Sequence, residues 1–112
     1  MRAIHYKARD RSKEYKSILA TPEHADSGFI TLLSTFGYPG LQVEIDGIYR
    51  SIKPVKGAII VNLGSTLELL SGHKIKATRH RVLDVGDRYS APFFFDPKLS
   101  ARISKTHFAS NR

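Results

Sequence analysis

Glu23-His24-Ala25-Asp26-Ser27-Gly28-Phe29 sets a histidine and an aspartate two residues apart, at the head of a series of apolar segments. On an extended strand, residues i and i+2 point to the same face. His24 and Asp26 would then aim an imidazole and a carboxylate into one space, with Ala25 packed behind them. That is two thirds of a metal site of the two-histidine, one-carboxylate type, a donor set that suits Fe(II) and leaves positions open for other ligands. Taken alone, a His-x-Asp is more often just two polar strand residues. The rest of the chain has to supply the third ligand and a pocket.

Working outward, the segments on both sides read as short strands. Phe29-Ile30-Thr31-Leu32-Leu33 is a buried strand by composition, and Gly37-Tyr38-Pro39-Gly40 is a strong turn. Leu41, Val43 and Ile45 alternate with Gln42, Glu44 and Asp46, which predicts a half-buried strand. Asp46-Gly47 tolerates positive φ, so the chain should reverse there into Ile48–Ile52. Pro54 to Gly57 make the next turn, and Ala58–Leu63, apolar on both faces, reads as an interior strand. Ser65-x-x-Glu68 predicts a capped helix of one or two turns ending near Ser71-Gly72. Lys74–Leu83 and Arg88–Phe95 read as further strands around a turn at Val85-Gly86-Asp87. Upstream, residues 2–6 form a strand, Lys7–Lys16 a charged loop, and Ser17–Ala20 a brief strand ended by Thr21-Pro22. Many short strands with turns between them make an all-β chain: a sandwich, barrel or jelly roll.

The chain has 112 residues, 41% of them hydrophobic, enough for one domain with a core of its own. Its boundaries are read as 1–103, followed by a basic tail at 104–112. No apolar run is long enough for a membrane helix, and no secretory leader pattern opens the chain. With no cysteine, disulfides and thiolate metal sites are excluded, and a cytoplasmic location is expected. The net charge of +8 sits at the ends: residues 1–16 carry six Lys/Arg against two acids, and residues 98–112 carry four against none. Solvated ends explain this better than a nucleic-acid surface, because the charge avoids the strands that would line a pocket.

Four other histidines could complete the site. His5 and His107 lie near the ends and His73 follows a glycine in a turn, whereas His80 lies within Thr78-Arg79-His80-Arg81-Val82. With period two, Thr78, His80 and Val82 share a face and the arginines point outward. A late strand of an antiparallel roll can lie beside the early one, so His80 is the best candidate, against the plainer reading of a hydrogen-bonded core histidine. Arg88 and Ser90 are again i and i+2, a planar fork and a hydroxyl suited to a carboxylate. An inward arginine before Pro92-Phe93-Phe94-Phe95 needs an anion, either a ligand or a structural partner at Asp84, Asp87 or Asp96.

The ordered set His24-x-Asp26-Ser-Gly-Phe-Ile-Thr-Leu-Leu, Gly40-Leu-Gln-Val, Asp46-Gly-Ile-Tyr, Pro54-Val-Lys-Gly-Ala-Ile-Ile-Val-Asn-Leu-Gly, Leu67-Glu-Leu-Leu-Ser-Gly, Ala77-Thr-Arg-His80-Arg-Val and Arg88-Tyr-Ser90-x-Pro-Phe-Phe resembles the C-terminal catalytic half of the isopenicillin N synthase-like 2-oxoglutarate/Fe(II)-dependent dioxygenases. The resemblance runs from about Arg2 to Ile103. It implies a double-stranded β-helix (jelly roll) truncated at its N-terminal side, with one short helical turn and Fe(II) held by His24, Asp26 and His80. It further implies 2-oxoglutarate as cosubstrate, chelating the iron, with its distal carboxylate on Arg88 and Ser90. Tyr6, on the strand before the metal motif, stands where a tyrosine often assists.

The expected activity is oxidation of a small organic substrate by O2 with release of succinate and CO2. Two alternatives stand beside it: an Fe(II) oxidase of the same family that does not use 2-oxoglutarate, and a non-catalytic truncated jelly-roll module. The large N-terminal region usual in the family has no counterpart here, and another segment or chain is expected to supply it.

Overall fold

A computed structural model describes residues 2–7 and 19–104. Its elements are β1 (Ile4–Tyr6), β2 (Leu19–His24), β3 (Ile30–Ser34), β4 (Leu41–Ile45), β5 (Ile48–Ser51), β6 (Ile60–Leu63), α1 (Ser65–Leu70), β7 (His80–Leu83) and β8 (Arg88–Phe95). The strands form two four-stranded sheets, β1-β8-β3-β6 and β2-β7-β4-β5, in which every pairing is antiparallel. The fold is the expected all-β double-stranded β-helix with one short helix. The expected loop from Lys7 to Lys16 lies almost wholly outside the described residues, as do Ser17, Ile18 and residues 105–112 of the tail.

Local chemistry explains most boundaries. Asp46 and Gly47 both take positive φ, 52° and 78°, and the hairpin they close pairs Ile45 with Ile48 and Gln42 with Ser51. That turn suits the right-handed twist of its strands, and aspartate and glycine are the residues that bear its dihedrals at least cost. Arg88–Phe95 is one strand throughout, pairing with β1 near its start and with β3 beyond Ser90.

Four expectations need correction. β2 does not stop at Thr21-Pro22 but runs on to His24. Its ladder with β7 changes register between Leu19 and Thr21 and again between Thr21 and His24, so Pro22 sits at an irregularity that needs no N–H. Ser65 is the first helical residue rather than the cap, which is Gly64; its N–H goes to the Asp26 carbonyl at 2.7 Å. Glu68 turns away from the helix start and accepts the Ala77 N–H at 2.9 Å, so no capping box forms. That bond, with the Lys74 N–H on the Ser71 carbonyl, holds residues 74–79 in an irregular path, and β7 is only four residues long. Finally, the segment read as an interior strand lies at the edge of its sheet, and Val61 is 58% exposed. Apolar composition tells what a strand can bury against, not what covers it.

The space between the sheets is a site more than a core. Among the described residues the buried apolar side chains are Leu41, Leu67, Val82 and Pro92, against six buried polar ones: Thr31, Thr35, Asn62, Ser71, Arg88 and Ser90. Buried polar groups are costly unless partnered, so this interior is shaped by requirements other than apolar packing.

The loop that follows β2 is clamped on the start of α1. Gly64 donates to the Phe29 carbonyl at 2.7 Å, and the Thr66 hydroxyl to the Ser27 carbonyl at 2.5 Å. A Cβ at Gly64 would overlap the Gly28 backbone. Gly64→Ala is therefore expected to destabilise the fold by about 1–3 kcal/mol, as overpacking against rigid backbone does. A lowered midpoint in a urea titration checks it.

Candidate metal centre and its cavity

β2 and β7 are antiparallel neighbours, and His24 stands directly opposite His80. Their rings lie 4.3 Å apart, centre to centre. Asp26 does not continue the strand as expected; it lies in the loop after it. The loop nevertheless carries its carboxylate back between the imidazoles, with Oδ1 3.5 Å from Nε2 of His24 and 3.5 Å from Nε2 of His80. The three ligand atoms all lie within 4.8 Å of one another.

The opposite ring nitrogens settle the tautomers. Nδ1 of His24 is 2.9 Å from the Pro22 carbonyl oxygen, and Nδ1 of His80 is 2.9 Å from that of Thr78. A carbonyl oxygen only accepts, so each Nδ1 carries the hydrogen. Nε2 of each ring is thereby the nitrogen turned toward Asp26, and the one a metal ion would take. The two arrangements are the same: each histidine is held by the carbonyl two residues before it.

Asp26 is fixed from behind. Thr31 Oγ1 and Asn62 Nδ2 both donate to its Oδ2, at 2.5 and 2.8 Å. Burial works to raise its carboxyl, but these hydrogen bonds and the two imidazoles outweigh it and hold the group below its ordinary value. A carboxylate that stays ionised beside two imidazole Nε2 atoms fits a divalent cation of the Fe(II) kind, which two nitrogens and one oxygen would hold.

These residues open into a cavity of about 390 Å³ between the sheets, which Tyr6, Thr21, Arg88, Ser90 and Phe94 also line. Arg88 is only 1% exposed. Its Nε donates to the Pro39 carbonyl at 3.0 Å, delivered by the turn between β3 and β4. Its Nη2 is buried without a hydrogen-bond partner. Burial pulls the guanidinium down from its ordinary value, and Tyr6 pushes it back. The acids considered as structural partners have other contacts: Asp87 lies 3.2 Å from Nε2 of His5, Asp96 accepts the Phe29 N–H and Asp84 that of Gly86. Ser90, buried beside Arg88 on the same face of β8, lines the same cavity. Tyr6 pairs with Arg88 across β1 and β8, its ring centre 5.1 Å from the guanidinium carbon and its hydroxyl 3.1 Å from that of Thr21.

All six residues singled out in the sequence thus converge on one cavity. Of the other histidines, His5 stacks on Tyr89 and His73 lies beside Glu68, both away from it, while His107 is outside the described residues. Sequence reading missed Thr21, Thr31 and Asn62. Two of them carried a signal: Thr31 and Asn62 are lone polar residues within apolar runs, at positions whose period-two neighbours face the interior.

The 2OG-Fe(II) oxygenase superfamily model matches residues 1–97. Among curated relatives, scopoletin 8-hydroxylase of Arabidopsis thaliana is 41% identical over 83 residues, 71% of this chain and 23% of that protein. Arabidopsis thaliana 1-aminocyclopropane-1-carboxylate oxidase 5 is 39% identical over 83 residues, 71% of this chain and 27% of that protein. Among solved structures, that of JOX2 in complex with 2OG, Fe and JA superposes with a TM-score of 0.79 at 30% identity, covering 97% of this chain and 32% of that one. The chain thus spans about a quarter of the length of the curated relatives it matches.

Proposed function

Since the chain belongs to the 2OG-Fe(II) oxygenase superfamily, we propose that it forms the metal- and cosubstrate-binding part of a non-haem Fe(II)- and 2-oxoglutarate-dependent dioxygenase acting on a small organic molecule. The observation that carries this reading is the buried, unpartnered Nη2 of Arg88, a residue that lines the same cavity as the converging ligand atoms of His24, Asp26 and His80. A buried guanidinium nitrogen without an acceptor is costly, and a ligand carboxylate removes the cost.

In this reading His24, Asp26 and His80 hold Fe(II), the two imidazoles through Nε2. Arg88 and Ser90 bind the distal carboxylate of 2-oxoglutarate, and Tyr6 backs the guanidinium. Iron in that position would couple O2 to the oxidative decarboxylation of 2-oxoglutarate to succinate and CO2 and so drive oxidation of the substrate. The chain's own work is to fix the donors in advance and to shield Arg88 from water, so that its charge is spent on the ligand. Succinate release that needs both O2 and 2-oxoglutarate tests the proposal; O2 uptake without succinate refutes it.

The second outcome would favour an oxidase that does not use 2-oxoglutarate, a reading supported by the likeness to a relative named as an oxidase. In that case Arg88 and Ser90 would take the carboxylate of the substrate itself.

The region that makes up the rest of the relatives' length is supplied, in this proposal, by another segment or chain packed on the outer face of the β1-β8-β3-β6 sheet. Val61, Leu32 and Phe93 form one cross-strand row there, with Phe95 next to it, and Phe95 is 59% exposed. Single apolar side chains on a surface are ordinary, but a contiguous row is a mark of an interface. Phe93→Ser with Phe95→Ser is expected to lower binding of a hydrophobic dye by the isolated chain several-fold while leaving iron affinity unchanged. Unaltered dye binding would show that this face is not the exposed apolar surface.

A further inference from the structure

The two hydrogen bonds behind Asp26 converge on a single oxygen. Thr31 and Asn62 both donate to Oδ2, which leaves Oδ1 as the atom that faces the two imidazoles. The donors are themselves directly opposed across β3 and β6, both are buried, and both point into the cavity. A separate set of bonds holds the backbone of the same loop: Ser65 N–H on the Asp26 carbonyl and Thr66 hydroxyl on the Ser27 carbonyl. The segment from Asn62 to Thr66 therefore grips Asp26 at both its side chain and its main chain.

We propose that Thr31 and Asn62 are positioning residues that commit Asp26 to single-oxygen ligation and thereby set the metal affinity of the site without touching the ion. A carboxylate with two free oxygens can rotate and offer both; one whose Oδ2 already accepts two donors cannot offer that oxygen without breaking buried hydrogen bonds. Partners that orient a ligating carboxylate are typically worth about 10–100-fold in metal affinity. The inference rests on Asp26 being a metal ligand, and the experiment separates the two claims.

The test is anaerobic titration of the whole chain with Co(II), reading both the dissociation constant and the visible d–d absorption, on Thr31→Val, Thr31→Ser, Asn62→Ala and Asp26→Ala. Valine keeps the shape of threonine and deletes the donor; serine keeps the donor. Thr31→Val and Asn62→Ala are each expected to weaken Co(II) binding by about tenfold or more and to alter the d–d band, as the freed oxygen joins the ion. Thr31→Ser is expected to match the parent chain in both. A Thr31→Val chain with parental affinity and spectrum, or a Thr31→Ser chain as impaired as Thr31→Val, overturns the positioning role while Asp26→Ala still loses the metal. Parental affinity in Asp26→Ala overturns the ligand assignment itself. If Asn62→Ala does not fold, the two threonine variants decide the matter alone.

Discussion

Asp26→Ala is expected to abolish stoichiometric Fe(II) binding at micromolar concentrations, and His80→Ala and His24→Ala to do the same. Four-ligand structural zinc sites bind with roughly 10–16 kcal/mol, so by analogy one ligand accounts for roughly 2.5–4 kcal/mol, or about two to three orders of magnitude in affinity. The site offers three ligand atoms that all lie within 4.8 Å of one another, and no other described acid or histidine joins the group. Asp26→Ala also strands the Thr31 hydroxyl and the Asn62 amide, so it carries a stability cost of its own. Asp26→Asn keeps an acceptor for those donors and removes the charge. It should retain the fold, judged by its circular dichroism and urea midpoint, and still lose the metal. Isothermal titration under anaerobic conditions, with the unfolding curve measured in parallel, separates the two effects. Unchanged iron affinity in both Asp26 variants would sink the assignment of the ligand set.

Arg88→Ala is the counterpart on the cosubstrate side. Fe(II) affinity should stay near that of the parent chain, while 2-oxoglutarate binds about 100- to 1000-fold more weakly. The magnitude follows from charge-assisted hydrogen bonds at roughly 1.5–2 kcal/mol each, the lower part of their range, two of which a planar guanidinium can make with one carboxylate. Arg88→Lys should recover little. An ammonium is a point charge that cannot both reach a carboxylate and replace the bond from Nε to the Pro39 carbonyl. The split between unchanged iron and weakened cosubstrate is the diagnostic feature, because a variant that merely loosened the fold would weaken both. Equilibrium binding of 2-oxoglutarate to the Fe(II)-loaded chain, read in the visible spectrum, gives the number. Equal loss in both affinities would show Arg88 to be a structural residue.

Much of this site was legible in the sequence because its key pairs are local. Arg88 and Ser90 are i and i+2 on one strand, so period two alone puts them on one face, and β8 runs over the residues expected, Arg88–Phe95. The pairing of His24 with His80 was inferred from the way an antiparallel roll returns on itself, and the two residues are direct register partners. What remained hidden depends on contacts distant along the chain. The expectation that His24 and Asp26 share a strand face gave the right convergence for the wrong local reason: Asp26 is brought in by a loop that Gly64, Ser65 and Thr66 hold from nearly forty residues on. Ser65-x-x-Glu68 matches a capping pattern, yet the backbone N–H of Ser65 already has the Asp26 carbonyl and Glu68 has Ala77. Local patterns state which bonds are available, and the tertiary fold decides which are made. The edge position of β6 was hidden in another way, since composition is the same for a strand that is covered and for one that awaits a cover.

The central claim is that one cavity holds an iron site and a carboxylate site side by side. An anaerobic titration with Fe(II), followed by 2-oxoglutarate, tests it most directly through the visible charge-transfer band between the metal and its chelating cosubstrate. The band is expected to develop in the parent chain, to be absent in His80→Ala at any cosubstrate concentration, and to return in Arg88→Ala only at 2-oxoglutarate concentrations about a hundredfold or more higher. Iron that binds without producing the band, or a band that Arg88→Ala leaves unchanged, would contradict the account.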